Sequence, residues 1–81
     1  MDDAAELLAQ KVFLIDAMAK KLVSDGWACV YARMDKDAER QLNVHGLSKH
    51  LSSTETSLHR HVVRLRRELL DLDRMLTEKD G

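Results

Sequence analysis

The chain has 81 residues with 13 Lys and Arg against 14 Asp and Glu, a formal net charge of −1, which excludes a bulk polycation that coats nucleic acid. Hydrophobic residues make up 44% and charged residues 33%, too apolar for an intrinsically disordered chain. The absence of Pro and the three Gly argue against a turn-rich β fold, and the wealth of Ala, Leu, Glu, Lys and Arg argues for helices. Expected is one mainly α domain over residues 1–81.

In chain order, Leu8, Val12, Ile15, Ala19 and Leu22 recur at helical spacing, widened by Leu7, Leu14 and Met18. This predicts an amphipathic helix over about 4–24, ended near Asp25-Gly26. Phe13 lies on its other side. Residues 28–34 alternate small or apolar with polar or larger side chains, so a short strand and a helical turn or two both remain open there. Residues 35–42 are polar and helix-prone, with Asp35 as a cap. From Leu51 the pattern is clearest. Ser52 and Glu55 have capping-box spacing, and Leu58, Val62, Leu65, Leu69, Leu72 and Leu76 step by four and three, a short heptad seam. It would pack on the N-terminal helix, on its own copy in a dimer, or on both.

The near-zero net charge hides a local imbalance. Residues 45–67 hold five bases, one acid and all four histidines, whereas the segments on either side are net acidic. Local patches rather than totals steer polyanions. Thr56, Arg60, Arg64 and Arg67 fall opposite the leucine seam, with His59 and Val63 between. A helix so divided can dock by one side and offer arginines, suited to guanine and phosphate, on the other. Its N-terminal amides favour a phosphate as well. Histidine protonation on acidification would add positive charge beside them.

Residues 42–69, LNVHGLSKHLSSTETSLHRHVVRLRREL, resemble the helix-turn-helix of bacterial DNA-binding regulators without a gap. Leu42, Leu47, Leu51, Leu58, Val62 and Leu65 fall on that family's core positions, Ser52 stands where its turn glycine usually is, and Thr54, Ser57 and Arg60 match the recognition helix. The resemblance implies a helix-turn-helix over 42–67 with a heptad extension over 66–79. Thr54, Glu55, Thr56, His59, Arg60 and Val63 would approach base edges, and Lys49, Ser53, Arg64 and Arg67 would contact phosphate. Leu65, Leu69, Leu72 and Leu76 would form a dimer or partner seam. The implied function is sequence-specific binding of double-stranded DNA by a homodimer, as a transcriptional regulator or accessory factor of a bacterial, plasmid or phage system. A ribbon-helix-helix over residues 30–62, with Tyr31 and Arg33 on a strand reading the major groove, ranks below it, because its first helix would be too long and residues 1–24 would have no place in it.

Two other classes frame that reading. A helical protein-interaction module, a small inhibitor or adaptor, would bind a partner helix through the leucine seam and Phe13 and leave the arginines to an acidic surface. An enzyme is not expected: there is no Gly-rich phosphate loop, no carboxylate pair in a cleft and no nucleophile with an orienting base. No cofactor is implied. His59 and His61 lie about 200° apart on a helix and cannot share a metal ion. Cys29 is the one cysteine, and a lone thiol fits a reducing compartment. With an acidic start and no apolar run of membrane-spanning length, the expected place is the cytoplasm.

Overall fold

The computed structural model describes residues 3–78 and contains two helices, α1 (Asp3–Leu42) and α2 (Leu51–Glu78), joined by residues 43–50. They fold back on each other as an antiparallel hairpin measuring 63 × 19 × 14 Å. At 1.5 Å per residue a 40-residue helix is about 60 Å long, so α1 sets the length of the molecule. The radius of gyration is 18.5 Å, against about 12 Å for a compact domain of this size. The molecule is a rod.

The helices meet along a coiled-coil seam. In α1 the covered positions include Leu8, Lys11, Ile15, Met18, Leu22, Asp25, Cys29 and Ala32; in α2 they include Leu51, Thr54, Leu58, His61, Leu65, Glu68, Leu72 and Met75. Both series alternate steps of three and four, the repeat that keeps one side of a helix facing its partner. One column in each helix is apolar (Leu8, Ile15, Leu22 and Cys29; Leu51, Leu58, Leu65 and Leu72). The other is interrupted by polar groups that pair across the seam. Lys11 Nζ lies 2.6 Å from Glu68 and 3.7 Å from Asp71, and the hydrogen bond it donates to Glu68 holds the ammonium in its charged form, with its pKa raised. His61 Nδ1 meets Asp25 Oδ2. At the edge, Arg33 reaches Glu55 at 3.0 Å. Such pairs contribute little net stability, but truncating one partner leaves the other uncompensated, so they fix register.

Several expectations are corrected. The first helix does not stop at Asp25-Gly26 but runs to Leu42. Gly26 costs at most about 1 kcal/mol relative to Ala in a helix, and ending there would forfeit the seam through Asp25, Cys29 and Ala32. Residues 28–34 are helical, and among the described residues there is no strand, so neither the short strand nor the ribbon of the ribbon-helix-helix forms. Cys29 and Ala32, three apart, are the buried apolar residues among those described, and Trp27 and Tyr31, four apart, bring their rings to 6.1 Å. Asp35 lies inside α1 rather than capping it. A helix end read near residues 79–81 lies outside the described residues.

The connection also differs from expectation. Residues 43–50, where the resemblance puts the first helix of the helix-turn-helix, are non-helical, and its turn residues Ser52 and Ser53 are in the first turn of α2. Asn43 takes a left-handed φ of 53° and ends α1, while the Val44 amide donates to the Glu39 carbonyl at 3.1 Å, a helix-terminating arrangement. Gly46 has φ 93°, a conformation costly for a side chain with a Cβ. The Glu39 carboxylate, 8% exposed, accepts the Ser48 amide at 2.7 Å and lies 3.4 Å from Lys36 Nζ. The Ser48 backbone amide foremost, then the Ser48 side chain and Lys36, lower its pKa to about 2. The Ser52–Glu55 capping box does not form: α2 begins at Leu51, whose amide donates to the Ser48 carbonyl, and the Glu55 carboxylate goes to Arg33.

Candidate functional site

A helix shows the same chemistry every seven residues on one line along its surface. On α2 the line through Ser53, Arg60, Arg67 and Arg74 runs along the side turned from α1, with Arg64 and Arg66 on either flank; all six are exposed. Arg60 and Arg67 are two turns, about 10 Å, apart. Ser57, His59, Arg60, His61, Val63 and Arg64 line a shallow depression of about 450 Å³ beside that line.

The acids of α2 explain why the arginines stay open. Glu55 is engaged by Arg33, Glu68 by Lys11, and Asp71 by Lys11 and by Arg74 at 3.7 Å. Among the described residues no ion pair reaches Arg60, Arg64, Arg66 or Arg67. The arginines of the middle segment are therefore presented outward.

The residues assigned to a DNA surface divide accordingly. Lys49, His59, Arg60, Val63, Arg64 and Arg67 are exposed, the lysine at the end of the connection and the rest on α2. Thr54 is half-buried in the seam, its hydroxyl donating to the Leu51 carbonyl at 2.8 Å. The Ser53 and Thr56 hydroxyls donate to the carbonyls of His50 and Ser52, and Glu55 is held by Arg33. Of the residues assigned to a dimer or partner seam, Leu65 and Leu72 face α1, whereas Leu69 and Leu76 are 48% and 50% exposed. His61, by contrast with the other three histidines, is inside the hairpin against Asp25.

A second surface was anticipated only at Phe13. α1 keeps Phe13, Val23, Trp27, Val30, Tyr31 and Met34 exposed on the side away from α2, at 76, 59, 57, 44, 60 and 59%. The signal was in the sequence as Val23, Trp27, Val30 and Met34, stepping four, three and four, but the alternation over 28–34 obscured it. Along one edge of the hairpin, Val12, Val62, Leu69 and Leu76 form another exposed strip. Among the described residues no three His, Cys, Asp or Glu side chains converge to hold a metal ion, and no helix is long and apolar enough to cross a membrane. Comparison with protein-family models, with curated proteins and with solved structures gives no match for this chain.

Proposed function

We propose that this chain is a helical-hairpin interaction module, a rod whose core is completed only when another helical surface covers the apolar side of α1. The observation that carries this is the distribution of burial. Cys29 and Ala32 are the buried apolar residues of the described chain, while Trp27, Tyr31, Val23 and Met34 stand more than half exposed. A helix that carries apolar residues on two opposite sides has both to cover, and covering apolar surface stabilises by about 25 cal/mol per Å². A hairpin with so thin a seam has little to set against the conformational entropy of ordering. The test is sedimentation combined with circular dichroism over a dilution series. Mass and helix content should fall together; a fully helical, cooperatively unfolding monomer at every concentration contradicts the proposal.

A second reading is favoured by the outward arginines: α2 as a surface for double-stranded DNA, in sequence-specific regulation or as an accessory factor of a bacterial, plasmid or phage system. With α2 as the sole helix of the 42–67 segment, the contacts would come from Lys49, His59, Arg60, Val63, Arg64 and Arg67. Mobility shifts at two salt concentrations test it. Affinity set by phosphate neutralisation falls steeply with salt and should be largely lost in Arg60→Ala/Arg64→Ala. Affinity indifferent to salt and to both substitutions contradicts it. The two readings use different helices and are compatible in one molecule.

A further inference from the structure

We infer that the occupant of α1's outer side is a second copy of the same helix, running antiparallel, so that two hairpins join through their α1 helices into a symmetric dimer. The inference rests on the interaction-module reading and names its partner.

The pattern on the outer side of α1 is self-complementary. Lys20, Val23, Trp27, Val30, Met34 and Asp37 step three, four, three, four and three, a second heptad seam turned away from the first. All six are exposed. Turned end over end about a point midway between residues 28 and 29, the series falls on itself with each residue opposite a complement. Trp27 meets the partner's Val30, Val23 meets the partner's Met34, and Lys20 meets the partner's Asp37. Each match joins the two alternating columns of a heptad, the pairing of antiparallel coiled coils. The apolar residues lie in the middle and the opposite charges at both rims, as an isologous interface requires.

The rim charges are available for this. No ion pair within the described chain engages Asp37. Among the described residues Lys20 is paired with Asp16 on its own helix at 3.0 Å, with both side chains more than half exposed. A parallel arrangement of the two copies would stack Lys20 on Lys20 and Asp37 on Asp37, so charge selects the antiparallel one. The overlap would run over residues 15–42 of each copy, with α2 on the far side of each α1. The outward arginines of the two α2 helices would then lie on opposite sides of the dimer and remain open.

The test is sedimentation equilibrium of the full chain and three variants, Lys20→Glu, Asp37→Lys and Lys20→Glu/Asp37→Lys, with circular dichroism to follow folding. Each single change places like charges at both rims and should weaken dimerisation about tenfold; the double exchange should restore it to within about threefold of the unaltered chain. Restoration is a readout that a loss of folding does not produce. Should the chain assemble while all three variants match it, or should Leu69→Glu and not the α1 changes dissociate it, this register of α1 is overturned and the need for a cover stands. Should the unaltered chain stay a fully helical monomer at every concentration, the interaction-module reading falls as well.

Discussion

The two helices share one seam but have unlike backs. Val30 on α1 and Val63 on α2 are equally exposed, at 44% and 42%, yet Val30 has Trp27 and Met34 one turn away on its helix, whereas Val63 has His59, Arg60 and Arg67. One valine belongs to a continuous apolar strip and the other is a single apolar residue on a charged surface, which is ordinary for soluble proteins. The contrast assigns places: α1 has α2 on one side and an open apolar side opposite, and α2 turns its arginines to solvent.

That assignment can be broken by matched substitutions. The largest effect is expected from Val30→Glu, which should weaken self-association about a hundredfold, the equivalent of about 2.8 kcal/mol, because a charge would enter the dimer interface twice. Val63→Glu should leave association unchanged and lower only affinity for DNA. Sedimentation of both variants checks this, and equal losses would erase the distinction. Next in size, Leu65→Ala in the seam should lower stability in urea by about 2 kcal/mol, near the lower end for a covered leucine. Leu70→Ala, at 61% exposure on α2, should stay within about 0.5 kcal/mol.

The connection sharpens the picture through pH. Glu39 is ionised in the hairpin down to about pH 2, whereas an unfolded glutamate protonates near about 4.3. Its folded pKa is the lower one, so its stabilising contribution is complete above the unfolded value and is lost as pH falls from there towards 2. Helix content followed through that window should decline less steeply in Glu39→Gln, which starts from lower stability; identical profiles would remove Glu39 from the account. Smallest is Gly26→Ala. A Cβ there meets nothing within 4 Å, and the change should stabilise the hairpin by about 0.5–1 kcal/mol in thermal melts. Gly46→Ala, at φ 93°, should destabilise it.

What the sequence made legible follows from what periodicity can detect. The mainly helical character and the long second helix from Leu51 onward were readable because Leu58, Leu65 and Leu72 repeat without interruption. The seam itself was only half readable. Five of the sixteen seam positions hold the polar residues Lys11, Asp25, Thr54, His61 and Glu68, so a search for apolar stripes joined Leu8 and Ile15 to Val12 and Ala19, and Leu58 and Leu65 to Val62 and Leu69. The structure instead pairs the leucine column with the polar one and leaves Val12, Val62 and Leu69 outside. A lysine at a seam position becomes recognisable only once Glu68 is known to lie opposite. Gly26 looked like a helix end because glycine is a weak helix former, a local preference that the continuing seam overrides. The outward placement of Arg60, Arg64 and Arg67 was legible from the 100° periodicity of α2. That they lack ion-pair partners among the described residues was not, because it depends on Arg33 and Lys11 of the other helix drawing acids away.

Trp27 is the one tryptophan of the chain and lies at the centre of the surface on which this account depends, so its fluorescence reports directly on whether that surface is covered. With the full chain at concentrations where it sediments as a dimer, emission should be blue-shifted and protected from acrylamide, and both properties should be lost on dilution together with the dimer. Solvent-like emission and free quenching in a chain that is fully helical at every concentration would contradict the assignment of α1 to an interior.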